Sequence, residues 1–192
     1  MSIMGSLLVV ATAERKVVVV NLADPTKIYM EKNTSPLKLQ TRAIAAWPDQ
    51  QGYAVSSVEG RVAIQWIQED KTSDKDNFSF KCHRSPPDPR NQNKVKVYPV
   101  NVLEFNSLGT FATAGGDGVV SFWDKDSKTR TKVFEPAGGP ITAASFSSSS
   151  QLFAYSVSYD WSQGYAGNRP GQTNKVCIHI CKEDEVKKRV KK

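Results

Sequence analysis

Among the side chains able to do chemistry, the two histidines and three cysteines come first. Cys177, His179 and Cys181 alternate along one short apolar run, which puts all three on one face of an extended strand. Three ligands on a single strand cannot wrap a tetrahedral ion, so no metal is expected there, and Val176, Ile178 and Ile180 are expected to face the core. His83 stands in a different part of the chain. No glycine-rich phosphate loop, HExxH or G-x-S-x-G motif occurs, so no catalytic residue and no cofactor is nominated. The remaining candidates are cations and aromatics. Asp160 to Pro170, rich in Gly, Asn and Pro, carries Trp161, Tyr165 and Arg169 and leads on to Lys175. A second basic stretch holds Lys81, Arg84, Arg90, Lys94 and Lys96, and Arg15, Lys16 and Arg61 stand in short turns. Aromatic faces stack on unpaired bases for about 1–3 kcal/mol each, while cations neutralise phosphates. The chemistry implied is recognition of single-stranded nucleic acid, with Trp161, Asp160, Arg84, Lys81, Arg61, Arg169 and Lys175 as candidates. Two other readings stay open: Trp and Arg also anchor peptides, and Trp161 could tuck under its own loop.

The whole chain sets limits on that chemistry. Its 192 residues are 39% hydrophobic, 23% charged and 9% aromatic, which excludes wholesale disorder and fibrous repeats. The longest apolar runs, Leu7–Ala11 and Val17–Val20, are strand-sized, so no membrane-spanning helix and no membrane partner is expected. Met1 to Met4 lacks the basic start and long apolar region of a signal peptide. Three cysteines are too few for a disulfide scaffold and point to a reducing compartment. The net charge of +7 lies in two places, with +4 between Lys81 and Lys96 and +3 between Lys182 and Lys192. Local basic segments point to a polyanion more than a diffuse excess does, although a lysine-rich terminus is ordinarily a solvated end.

The elements that must position these residues repeat. Leu8–Val20, Tyr53–Gln65 and Phe111–Asp124 each read as a strand of small residues, an acidic turn and a bulkier strand. A fourth copy starts at Leu152–Asp160 and resumes at Lys175–Ile180 after the insertion. The turn acids Glu14, Glu59, Asp117 and Asp160 are spaced by 45, 58 and 43 residues. Strands are expected before each unit at Arg42–Trp47, Val100–Phe105 and Ile141–Phe146, and after it at Phe78–Cys82 and Lys128–Phe134. A period in the low forties with four strands per unit is that of a β-propeller blade, and Trp123-Asp124 is the dipeptide that names one class. The fold expected is all-β: a partial WD-repeat propeller of about four blades over residues 1–181, with a basic tail over 182–192. Four units as an open β-sandwich would explain the period less well. Trp66, Trp123, Asp124, Asp117 and Glu59 are read as structural, packing between blades or tying the amides of the turns. In a propeller the turn between second and third strands and the connection to the next blade share one face. That gathers the basic stretch and the Trp161 insertion, and sends the hydrophilic Gln68–Asn77 stretch to the opposite face as exposed loop.

At this point Ser56–Ile64, Phe80–Arg84, Tyr98–Asn101 and Thr113–Asp124 resemble the WD-repeat mRNA export factors of the nuclear pore. A related family, the spindle-checkpoint WD-repeat proteins, shares those blocks. Asp76–Phe80, Ser121–Asp126 and Ser158–Gly164 favour the export factors. The resemblance implies a seven-bladed ring, binding of single-stranded or poly(A)+ RNA, and docking on a phenylalanine-glycine nucleoporin segment. It implies a place in the nucleus, at the pore in the nuclear envelope and in the cytoplasm, with possible mitotic spindle or checkpoint partners. Arg84, Asp160 and Trp161 match its blocks, whereas Arg169 and Lys175 lie where this loop departs from them. The family chain is nearly twice as long, so this one is expected to begin inside a blade and to leave two blade faces uncovered. The alternative function is a checkpoint scaffold that binds kinase-derived peptides.

Overall fold

A computed structural model describes residues 1–26, 28–67 and 77–189, without the side chains of 28–33. Nearly all of the Gln68–Asn77 stretch, expected as an exposed loop, lies outside the described residues (68–76), as do 190–192. The first sheet is β1 (Ser2–Met4), β2 (Leu7–Ala11), β3 (Lys16–Asn21) and β4 (Ile28–Thr34). The second is β5 (Thr41–Ala46), β6 (Gly52–Ser57), β7 (Arg61–Trp66) and β8 (Phe78–Lys81). The third is β9 (Val100–Phe105), β10 (Thr110–Gly115), β11 (Val120–Asp124) and β12 (Thr129–Val133). The fourth has three strands, β13 (Ile141–Phe146), β14 (Leu152–Val157) and β15 (Lys175–Ile180), followed by the short helix α1 (Glu183–Val186). Each strand pairs antiparallel with its sequence neighbour, so every sheet is a meander. The fold is all-β and propeller-like, a row of meander sheets packed face to face.

Turn chemistry explains why the meanders close tightly. Gly60 and Gly118 hold φ values of +61° and +75°, which side chains disfavour. A Cβ at Gly60 would meet the Cys82 carbonyl oxygen at 2.6 Å, and one at Gly118 the Gly139 oxygen at 2.6 Å. Both turns thus need glycine twice over, for backbone angle and for close approach. The equivalent turn of the first sheet has no glycine, and Glu14 and Arg15 take φ values of 58° and 62° instead.

Neighbouring sheets meet through their inner strands, β1 and β2 with β5, β5 with β9, and β9 with β13. The apolar side chains therefore form successive seams between sheets, not one central core. Leu7, Val9, Val17 and Val19 pack on Ile44, Tyr53 and Val55; Trp47, Ala54, Val62 and Ile64 on Val100, Leu103, Phe105 and Phe111; Ala112, Ala114 and Phe122 on Ile141 and Phe153.

Three expectations need correction. The chain does not begin inside a blade: Ser2–Met4 pairs with Val9–Leu7 and completes a four-stranded first sheet. Val176, Ile178 and Ile180 do not face the core but are 74%, 70% and 75% exposed. Cys177, His179 and Cys181 take the inner face because the third sheet offers His179 the rings of Phe134 and Phe122, at 4.5 and 6.3 Å. The tail is not simply a solvated end, since Glu185 and Val186 are buried. Thr131 donates to the Glu185 carbonyl at 2.7 Å, Thr110 to the Val186 carbonyl at 2.6 Å, and the Arg189 amide to Asp124 at 2.9 Å. Those exchanges satisfy the peptide groups of the tail and make its burial affordable.

Candidate nucleic-acid interface

The antiparallel meander puts the β6–β7 and β10–β11 turns, the β8–β9 connection and the β14–β15 insertion on one rim. Polar contacts tie them together there. His83 is buried and left-handed at φ 47°. Its Nδ1 lies 2.8 Å from Asp117, its Nε2 lies 2.9 Å from the Thr113 hydroxyl, and Trp123 Nε1 donates to that hydroxyl at 2.9 Å. Indole is only a donor and carboxylate only an acceptor, so for a neutral imidazole the chain runs one way, Trp123 to Thr113 to His83 to Asp117. Asp117 also accepts the Val119 amide of its own turn at 3.1 Å. Reasoning from the sequence missed His83 and Thr113, because partners 30 and 34 residues apart carry no local pattern. Asp124 of the Trp-Asp dipeptide is likewise buried, accepting the Asp126 amide at 3.0 Å and the Ser127 hydroxyl at 2.7 Å.

Two candidate cations are engaged at this rim. Arg84 Nη2 donates to the Glu59 carbonyl at 2.7 Å, and Arg61 Nε sits 3.7 Å from the Glu59 carboxylate. Beyond Arg84 the basic stretch rises as a narrow ribbon, with bridges Arg84–Val97 and Asp88–Lys94 and the Ser85 amide on the Lys96 carbonyl at 3.0 Å. Arg90, Lys94 and Lys96 are exposed along it.

Beside the ribbon opens a cleft of about 770 Å³, lined by Tyr98, Pro99 and Pro140 on one side and by Tyr159, Asp160 and Arg169 on the other. Asp160 is buried; it caps its turn by accepting the Ser162 amide at 3.1 Å, and Asn101 reaches it at 3.5 Å. Asn101 also donates to the Ile141 carbonyl at 2.9 Å and accepts from Arg42 Nε at 2.9 Å, which links three sheets under the cleft. The insertion is braced internally. The Tyr159 hydroxyl donates to the Gly164 carbonyl at 2.8 Å and accepts the Gln163 amide at 2.9 Å, while Gln172 donates to the Gly167 carbonyl at 2.7 Å. Trp161 does not tuck under this loop. It is 60% exposed, its ring 5.8 Å from that of Tyr159 at a 38° tilt, on a backbone held at φ 59°. A left-handed tryptophan costs roughly 1–3 kcal/mol and persists only where its surroundings impose it.

Asp160 and Arg169 therefore line the cleft, Trp161 stands exposed on the same insertion against Tyr159, and Arg61 and Arg84 brace the base of the ribbon. Lys175 opens β15 beyond the insertion. Lys81 turns to a separate groove of about 190 Å³ on the outer side, lined by Phe78, Phe80, Phe111, Trp123, Lys125 and Lys128. Tyr98, Pro99, Asn101 and Tyr159 were not among the sequence candidates. Burial pushes the Cys82 thiol up to about 12, reinforced by Asp117, and the Cys181 thiol up to about 11, reinforced by Glu185. Neither is a nucleophile near neutral pH. Among the described residues no three His, Cys, Asp or Glu side chains converge to hold a metal ion, and no helix is long and apolar enough to cross a membrane.

Comparison with known proteins adds to this geometry. No protein-family model matches the chain. A poly(A)+ RNA export protein of Schizosaccharomyces pombe is 49% identical over 97% of this chain and 51% of its own length. The mRNA export factor GLE2 of Chaetomium thermophilum is 47% identical over 98% of this chain and 52% of its own, and protein RAE1 of Arabidopsis thaliana 42% over 97% and 51%. The chain thus spans about half the length of the curated relatives it matches. Among solved structures, the β-propeller domain of Cps50 (Swd1) from Myceliophteria thermophila aligns with a TM-score of 0.61 at 17% identity, over 81% of this chain and 47% of that one. At that identity the likeness establishes the fold alone.

Proposed function

We propose that this chain, a homologue of the WD-repeat mRNA export factors over the half of them that it spans, is a non-enzymatic adaptor in mRNA export whose cleft rim binds single-stranded RNA. The observation that carries the reading is Trp161, exposed and left-handed on the insertion whose neighbouring residues Tyr159, Asp160 and Arg169 line the cleft. An indole held in that position offers a flat face to an unstacked base with little ordering cost left to pay. Arg169 on the cleft wall and Arg90, Lys94 and Lys96 on the ribbon supply charge for the phosphates on either side of that base. Asp160 and Asn101 act as positioning residues that hold the insertion over the inner strands. The relatives' names, which speak of mRNA export, support a nuclear setting; a phenylalanine-glycine nucleoporin segment is proposed as the protein partner on the family resemblance alone.

Labelled poly(A) titrated at two salt concentrations tests this. Trp161→Ala is expected to weaken binding roughly tenfold, from the loss of one stacked base. Arg169→Glu is expected to weaken it and to flatten the salt dependence by about one charge. Affinity unchanged in both variants would refute the RNA-binding rim.

A second reading, the checkpoint scaffold, is favoured by one observation: the aromatic groove at Phe78, Phe80 and Trp123, flanked by Lys81 and Lys128, suits an extended peptide. Capture of a kinase-derived peptide in preference to a nucleoporin peptide, with no affinity for poly(A), would select it.

A further inference from the structure

Asp117 and Asp160 are the turn acids of the third and fourth repeats, and their carboxylates meet different surroundings. Both oxygens of Asp117 face His83 Nδ1, at 2.8 and 3.1 Å, and one of them also accepts the Val119 amide. Asp160 is as deeply placed, 7% exposed, but on the wall of the cleft. Its Oδ1 accepts the Ser162 amide and caps the turn. Its Oδ2 meets only a stretched contact, the Asn101 side-chain amide at 3.5 Å, and that amide makes its shorter bond, 2.9 Å, to the Ile141 carbonyl. A buried carboxylate oxygen with so weak a partner has given up hydration without replacing it.

The cleft leaves room beside that oxygen. Gly116 lines it, and a Cβ there would sit 3.1 Å from Asp160 Oδ2 and 3.0 Å from Pro99 Cδ. Glycine at this position keeps Oδ2 uncovered from that side. The charged residues lining the cleft are Asp160 and Arg169, both carried by the insertion. A carboxylate repels phosphate and accepts from a hydroxyl or amine. A nucleic-acid strand in the cleft is therefore oriented, with phosphate toward Arg169 and a hydrogen-bond donor toward Asp160. Base amino groups vary with sequence, and the base face is engaged by Trp161. The donor that every RNA nucleotide carries, whatever its base, is the ribose 2′-hydroxyl, which DNA lacks.

We infer, resting on the RNA-binding rim proposed above, that Asp160 Oδ2 accepts a ribose 2′-hydroxyl and makes the cleft select RNA over DNA. Stacking and phosphate contacts give no such preference, because bases and phosphates are common to both polymers. The two oxygens of Asp160 thus divide the work: one positions the insertion, the other reads the sugar.

Titrations of the chain with adenosine oligonucleotides of one length, in ribo, 2′-deoxy and 2′-fluoro forms, test this. A 2′-fluoro sugar keeps the RNA pucker and donates no hydrogen bond, so it separates the hydroxyl from the shape of the strand. The wild type is expected to bind the ribo form about tenfold more tightly than either of the others, as one hydrogen bond to a charged acceptor allows. Asp160→Asn retains an oxygen for the Ser162 amide and loses the charge, whereas Gly116→Ala retains the charge and crowds Oδ2. Each should reduce the preference to under about threefold. Thermal melts identify the variants that fold, and a preference that survives in either folded variant overturns the inference. Equal wild-type affinity for ribo and 2′-fluoro strands overturns it as well, and leaves the RNA-binding rim standing where Trp161→Ala weakens both. A wild type that binds none of the strands overturns the rim and the sugar contact together.

Discussion

In the third sheet all six residues of β10 and four of the five in β11 are buried, whereas in the fourth no residue of β15 is. Both sheets come from the same repeat and present the same alternation of small and bulky residues. They differ in their surroundings. The third is covered on both faces and pinned at its rim by the Trp123–Thr113–His83–Asp117 chain. The fourth is covered on one face and pinned by the tail, through His179 and Glu185 at 2.7 Å and Lys132 and Glu185 at 2.9 Å. The energetic weight of a side chain here is thus set by the sheet next door more than by its own strand.

The sharpest way to break that comparison uses matched positions. Ile64→Ala should cost about 4 kcal/mol, because it empties a filled seam between two sheets. Ile178→Ala, its counterpart on an open face of this chain, should cost under about 0.5 kcal/mol. Urea midpoints with an unchanged slope give both numbers, and equal losses would end the argument from neighbours.

Next in size, His83→Ala should lower stability by roughly 3 kcal/mol, because it strands the Thr113 hydroxyl and the Asp117 carboxylate in a buried network. His179→Ala, whose ring is partly open to water, should cost about 1 kcal/mol. A larger loss at His179 would make the tail, not the interior network, the stronger clamp.

The tail can be probed with acid. Burial alone would raise the Glu185 carboxyl, but hydrogen bonds from His179, Lys132 and the Lys182 amide bring it from 4.5 down to about 2. A folded-state value below the unfolded one stabilises the protein above pH 4.5, and the contribution disappears as pH falls from there through 2. Glu185→Gln should therefore cost about 2 kcal/mol at neutral pH and make the acid limb of the stability profile shallower. An acid limb identical to that of the wild type would show that the strap does not depend on this charge.

A smaller effect than at His83 or Glu185 belongs to the seam between second and third sheets. Lys125 Nζ lies 4.4 Å from the Trp47 ring and 4.9 Å from the Trp66 ring, and 2.7 Å from Asp126. Lys125→Met retains the bulk and loses the charge, for about 1 kcal/mol with little response to salt. A strong salt dependence would place this lysine with the surface pairs.

Much of the fold was legible. β9, β13 and β15 fall on the residues that alternation alone marks out, and β10 and β11 straddle the acidic turn that the repeat requires. β1 and β4 were not. Three residues cannot show a period, and Ile28–Thr34 mixes apolar, charged and amide residues without alternating. Of the candidate interface, Asp160, Trp161 and Arg169 were legible as a group because one insertion carries all three. Their supports were not: Asn101 reaches Asp160 from 59 residues away, and the Tyr98–Pro99 ledge comes from another sheet's connection. Arg84 is a candidate by charge, and what the sequence hid is that its Nη2 also donates to the Glu59 carbonyl, 25 residues away.

By itself the sequence determined the unit, its order and its strands, because period-two alternation and turn residues act over a few neighbours along the chain. Only the tertiary structure decided which face of each strand is inside. Alternation divides Val176, Ile178 and Ile180 from Cys177, His179 and Cys181 but says nothing of what lies opposite either set. The aromatic rings of the third sheet and the carboxylate of the tail took the polar face, and the aliphatic face was left open. Burial is a property of two surfaces in contact, and one strand supplies only one of them.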